Sequence, residues 1–228
     1  MILPLMALAW PASGVLLATL SRLNDRATQA SQDDFRQPVL ALSLLTATVT
    51  FPMMTWIAIG LDFPVRALLH PQWQQALPLI QLLVPLGALQ ALAAYNGSVL
   101  IARGHARLQF HVNLVSSAVL LAGFFASLPF GIHAFAMTYL VIGAIVAAGQ
   151  IAAKLWAAGI PLREYLAVLT VPTVATLAGC GAAALYDLHP VTWARWAGMS
   201  LAFVSAVLFV SALGRRPIAR AVRGLLPA

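Results

Sequence analysis

The chain reads as long apolar runs separated by short polar stretches. Seven runs stand out, at residues 3–20, 38–61, 77–102, 109–130, 133–155, 165–186 and 193–214. Each approaches the roughly 20 residues that a helix needs to cross a hydrocarbon layer about 30 Å thick. The runs are continuous and lack the polar–apolar alternation of barrel strands. A backbone in lipid must satisfy its own hydrogen bonds, and a helix does so within one segment. The pattern therefore predicts an all-α integral membrane protein. Its seven transmembrane helices form a single bundle over 1–214, followed by a basic tail over 215–228.

The acids support that count. Asp25, Asp33, Asp34, Asp62, Glu164 and Asp187 all fall between runs. A charge buried in a span would cost about 2.5–3.5 kcal/mol on insertion scales. The basic residues add an orientation. Arg22, Arg26, Arg36, Arg103, Arg107, Lys154, Arg163, Arg215, Arg216, Arg220 and Arg223 lie on one side of the predicted topology, and only Arg66 and Arg195 on the other. Under the positive-inside rule the first side is cytoplasmic. The C-terminus is then cytoplasmic and Met1 periplasmic or extracellular.

Between the runs, Ser31-Gln32-Asp33-Asp34 is a candidate start for a short surface helix. Residues 62–76 mix Phe63, Leu68, Leu69 and Trp73 with polar groups, which suits a short amphipathic piece in the interface. Trp73, Trp156, Trp193 and Trp196 fall near run ends, as interfacial anchors do. Pro11, Pro52, Pro85 and Pro172 sit in or near runs and are candidate kinks. Gly179 and Ala183 allow close helix packing.

Composition agrees with the pattern: of 228 residues, 61% are hydrophobic and only 8% charged, with a mean hydropathy of +0.90. Soluble domains carry about a quarter charged residues. The net charge of +7 would suggest nucleic acid in a soluble chain. Here the basic residues occupy short loops and one tail, so topology explains them and no nucleic-acid partner is expected. The lone Cys180 allows no disulfide framework. Met1 enters an apolar run without a basic leader, so no cleavable signal peptide is expected.

Catalytic chemistry finds little support. There is no HExxH and no glycine-rich phosphate loop. The five histidines (His70, His105, His111, His133, His189) are dispersed. No enzyme, metal or cofactor is expected. Polar residues inside the runs are more informative, because such groups turn towards a bundle interior or a wet cavity. Gln81, Asn96 and Arg103 share one helical face by the 100° periodicity. Asn113, Ser116 and Ser117 form a second stripe, with i, i+3, i+4 spacing. Tyr139, Gly143, Gln150 and Lys154 form a third, and Thr46 and Thr50 add polarity to the second run. These stripes are candidate walls of a path for a hydrophilic substrate. Ordinary helix–helix hydrogen bonding accounts for any one of them alone.

Several segments resemble a known family. Leu20-Ser21-Arg22-Leu23 with Asp25 is similar to its helix-closing segment, and Phe51-Pro52 matches a recurring feature of its next span. Pro71-Gln72-Trp73-Gln74-Gln75-Ala76, followed by Leu77-Pro78-Leu79-Ile80-Gln81-Leu82-Leu83, resembles its tryptophan–alanine segment and proline-initiated helix. Ile101-Ala102-Arg103-Gly104 and Gly131-Ile132-His133-Ala134-Phe135-Ala136 resemble a helix end and a glycine turn. The family is the bacterial polysaccharide, O-antigen and lipopolysaccharide flippases of the multidrug/oligosaccharidyl-lipid/polysaccharide exporter superfamily.

The resemblance implies two lobes in a fourteen-helix bundle, with this chain as the last seven helices. It also implies movement of lipid-linked oligosaccharide across the bacterial inner membrane by alternating access, along a path between lobes. The first lobe is absent here, so this chain supplies one wall and a truncated or split protein is expected. Partners would be the bilayer, the lipid-linked oligosaccharide, the missing N-terminal lobe and glycan-assembly proteins. A phosphate-bearing substrate calls for cations, and Arg103 and Lys154 are the candidates; topology accounts for both equally well. Two other readings stay open: a non-transporting subunit or scaffold of an envelope-glycan assembly complex, and an integral-membrane enzyme of glycan or lipid synthesis.

Overall fold

A computed structural model describes residues 32–68, 74, 76–184 and 193–213. The described chain is all-α, and no strand occurs among the described residues. In order, the helices are α1 (Gln32–Gly60), α2 (Asp62–Leu68), α3 (Leu77–Ala93), α4 (Asn96–Ala102), α5 (Ala106–Ser127), α6 (Gly131–Ala158), α7 (Leu162–Ala184) and α8 (Trp193–Leu213). A single 3-10 turn, Leu128–Phe130, joins α5 to α6. The first predicted run, 3–20, and the tail, 215–228, lie outside the described residues, as does Pro11.

Six predicted runs thus correspond to α1, α3 with α4, α5, α6, α7 and α8. These helices are long and apolar enough to make this a multi-pass membrane protein. Two boundaries differ from the pattern. The described helix α1 begins at Gln32, so Asp33-Asp34 lies in the first turn of the long helix itself. The run 77–102 is interrupted at Ala94-Tyr95. Hydropathy reports where lipid is, and a helix extends beyond that wherever its backbone ladder can continue. Acids suit such extensions at N-termini, where the helix dipole favours negative charge. Asp62 and Glu164 occupy first turns of α2 and α7 in the same way.

Pro38, Pro52, Pro85 and Pro172 all lie inside continuing helices. The tight turns instead depend on glycine. Gly104, Gly131 and Gly159 have φ of +77°, +84° and +67° and are the only described residues with positive φ. This region is costly for any residue with a Cβ. After α6, Ile160 N–H reaches back to Leu155 O at 2.9 Å and Gly159 N–H to Trp156 O at 3.1 Å. That pairing satisfies carbonyls the helix end would leave open.

The two ends of the bundle are held by different side chains. At one end, Arg36 donates through both Nε and Nη2 to Gly159 O. The rings of His105 and Trp156 lie 5.1 Å apart at that same end. At the other end, Trp196 Nε1 donates to Gly60 O at 2.7 Å and packs edge-on against Trp56. Phe63 of α2 joins that aromatic group, beside the Asp62–Arg66 ion pair at 2.8 Å. A short helix, α2, therefore does lie between the second and third runs.

The main core lies towards the basic end and draws on α1, α3, α4, α6 and α7, including Val39, Leu92, Tyr95, Leu100, Ala158 and Leu169. A smaller cluster joins Ala183 to Phe203 and Val207 of α8. There a Cβ on Gly179 would meet Phe203 and Val207 at 2.9 Å. The small residues Gly179 and Ala183 therefore do permit the close α7–α8 approach. The helix α5 packs only on α4, α6 and the 3-10 turn among the stronger contacts and exposes Phe110, Leu114, Val115 and Phe125.

Candidate functional site

The third polar stripe divides into separate environments. Lys154 is fully buried. Its Nζ donates to Leu92 O at 2.7 Å and to the Tyr165 hydroxyl at 3.3 Å. It also lies 4.3 Å from the Tyr95 ring centroid and 5.0 Å from that of Tyr165. The Tyr95 hydroxyl donates to Ser43 Oγ at 3.0 Å, and Ser43 Oγ donates to Val39 O at 2.7 Å. Four helical segments, α1, α3, α6 and α7, therefore meet around one ammonium, together with Tyr95 from the break between α3 and α4. No carboxylate lies within salt-bridge distance of it among the described residues.

Local sequence explains the Leu92 contact. The last carbonyls of any helix lack a following N–H in register, and α3 ends at Ala93. An ammonium is favourable there because the helix dipole places negative charge at that end. Gly143, also of this stripe, is buried against the Leu86 side chain. Tyr139 belongs to a different contact. Gln90 Nε2 donates to its hydroxyl at 3.0 Å, linking α3 to α6. Fifteen residues of helix, about 22 Å at 1.5 Å per residue, separate Tyr139 from Lys154. Gln150, between them, is half-buried.

The first stripe is also spread along its helix. Gln81 donates to Ala58 O at 2.9 Å, near the aromatic end. Arg103 sits at the other end, as the C-cap of α4. Asn96 lies between them, buried to 2% exposure at the start of α4. It is brought to Asn113 by a residue outside the stripes. Asn96 Nδ2 donates to Gln109 Oε1 at 3.1 Å, and Gln109 Nε2 donates to Asn113 Oδ1 at 3.1 Å. Asn96 Oδ1 is buried without a partner. Asn113 and Ser117 are exposed on α5, and Ser116 is half-buried. Thr46 and Thr50 pair with each other along α1, Thr50 Oγ1 donating to Thr46 O at 2.8 Å.

Two site residues were missed by stripe arithmetic. Gln109 falls at the edge of a run, where polarity reads as a helix end; its i, i+4 spacing to Asn113 was the available signal. Tyr95 reads as one more interior aromatic, and only the interhelical contact gives it a role. An apolar groove of about 250 Å³ between α1 and α8, lined by Pro52, Trp56, Phe203 and Val207, offers almost no polar surface for chemistry. No cluster of three or more metal-ligating side chains occurs among the described residues.

No family model matches the chain, and no solved structure matches it. Over 76 residues the chain is 33% identical to the teichuronic acid biosynthesis protein TuaB of Bacillus subtilis (strain 168). That stretch is 33% of this chain and 16% of the relative, so the match spans well under two thirds of the relative's length. The protein is therefore a multi-pass, all-α membrane protein with distant similarity, over a third of its length, to a polysaccharide biosynthesis protein.

Proposed function

We propose that this chain serves polysaccharide biosynthesis and export, as the C-terminal lobe of a membrane protein that moves lipid-linked oligosaccharide across the bacterial inner membrane. The 76-residue similarity to TuaB carries the reading, because that relative is a teichuronic acid biosynthesis protein. The polar seam of Asn96, Gln109 and Asn113 supports it, since three carboxamides within apolar helices need a polar partner. In this reading the chain carries out no covalent chemistry and needs no cofactor. Its partners are the bilayer, the lipid-linked oligosaccharide and a matching N-terminal lobe, and its basic end faces the cytoplasm.

The test is complementation. The chain is expressed in a strain lacking its polysaccharide flippase, alone and together with an N-terminal seven-helix lobe. Restored surface polysaccharide with the paired lobes, and none with this chain alone, is the expected result. No restoration in either case, with both lobes present in the membrane, overturns the transport reading.

A further inference from the structure

The seam between α4 and α5 is unusual for a helix pair inside apolar runs. Three carboxamides lie in a row, with every bond running one way: Asn96 donates to Gln109, and Gln109 donates to Asn113. The inner end is an acceptor without a partner, Asn96 Oδ1, on a side chain only 2% exposed. A buried acceptor left in this state is costly. The outer end, at Asn113, lies on exposed helix surface and continues along α5 to exposed Ser117. Gln109, Asn113 and Ser117 follow i, i+4, i+8 spacing and so share a face. Phe110, 64% exposed, stands beside Asn113 at i+3.

Gly97 helps to make the seam possible. A Cβ there would stand 3.1 Å from Gln109 Nε2. With glycine, the Gln109 amide lies directly across α4.

We infer that the α4–α5 seam, at Asn96, Gln109 and Asn113 with Phe110 and Ser117, is a subsite for a neutral polyhydroxylated ligand, the sugar hydroxyls of a glycan. Carboxamides and hydroxyls each donate and accept, and so does a sugar hydroxyl, whereas an ionised phosphate oxygen only accepts. The ladder itself holds no charge. Arg103 and Arg107 stand at the cytoplasmic-side end of the same helices, beyond it. Small-ligand sites combine aromatic side chains with a few placed polar groups, and Phe110 stands beside this ladder. Lipid tails offer nothing to these groups, and leaving them in hydrocarbon is costly. Gln109 is the movable member. When it turns outwards, a ligand hydroxyl takes its place and donates to Asn96 Oδ1. The subsite rests on the glycan reading above and names which part of the substrate it holds.

The test uses the full chain in proteoliposomes with Cys180→Ala as background. Asn113→Cys, Ser117→Cys and Val115→Cys are treated with a membrane-impermeant maleimide. Val115 is 60% exposed and lies on another face of α5. Labelling is expected at 113 and 117 and not at 115. Neutral maltopentaose should slow it several-fold, and inorganic pyrophosphate should not. Adding Gly97→Ala, which crowds Gln109, should weaken the protection without abolishing labelling. Absence of labelling at 113 and 117 overturns the subsite and points to lipid or a protein partner covering the seam. Labelling that is indifferent to the sugar, or slowed by pyrophosphate, overturns it too. Complementation separates the two readings: rescue without sugar protection sinks the subsite alone, and protection without rescue sinks transport alone.

Discussion

Lys154 Nζ donates to the carbonyl oxygen of Leu92, 2.7 Å away and 62 residues earlier in the chain. The contact joins the cationic residue of one helix to the open C-terminal end of another. Nζ also meets the hydroxyl of Tyr165 and the faces of two tyrosine rings, and each ring adds attraction for a desolvated cation. Arg36 makes a parallel contact with Gly159 O, at the end of α6. Two basic residues that a topology count treats as loop charges are thus ligands of helix C-termini. Their positive charge suits the dipole at those ends.

Lys154→Ala should destabilise the protein by about 3 kcal/mol. It empties a fully buried volume and leaves the Leu92 carbonyl unpaired. Lys154→Met keeps most of the volume and removes the desolvated charge, so it should cost less. Thermal unfolding of the purified protein in detergent measures both. Unchanged stability in Lys154→Ala would show that Lys154 is not a core residue and would return it to the candidate path.

At the α6–α7 turn, Gly159→Ala should cost about 1–2 kcal/mol, the penalty for a left-handed residue with a Cβ. Its φ is +67°. Gly131→Ala, at φ +84° and ψ 179°, a region essentially restricted to glycine, should cost about 1–3 kcal/mol at the α5–α6 turn. Denaturant or thermal midpoints check both, and wild-type midpoints would show that the turns relax to negative φ.

Where α7 meets α8, Gly179→Ala should lower stability by about 1–3 kcal/mol through overpacking against Phe203 and Val207. Gly181, two residues on, has open space around its Cβ position. Gly181→Ala should therefore be neutral or stabilising, by up to about 1 kcal/mol of helix preference. Equal effects of the two substitutions would contradict the packing described.

Orientation is open to cysteine labelling in the Cys180→Ala background. Leu162 begins α7 at the basic end, and Leu128 lies in the α5–α6 turn at the other; each is 61% exposed. Leu162→Cys should react with an impermeant reagent only in inside-out vesicles. Leu128→Cys should react from the periplasmic face of intact cells with a permeable outer membrane. The reverse pattern would overturn the assignment of the basic end to the cytoplasm.

The all-α membrane class and the helical state of the six described runs were legible in the pattern of apolar residues. Those features answer to the bilayer as solvent and to local backbone chemistry, which act on each segment separately. Gly104 and Gly131 entered only through the family resemblance, and Gly159 was not singled out, because a positive φ leaves no mark on hydropathy. Which polar faces meet was settled by packing between helices. Lys154 and Tyr139 share a stripe by helical arithmetic, yet one joins a buried knot with Tyr95 and Tyr165 and the other bonds Gln90. Asn96 and Asn113 belong to different stripes, yet Gln109 ties them into one seam. Periodicity gives the direction of a side chain around its own axis; its partner depends on the crossing angle and relative height of two helices, which no single segment encodes.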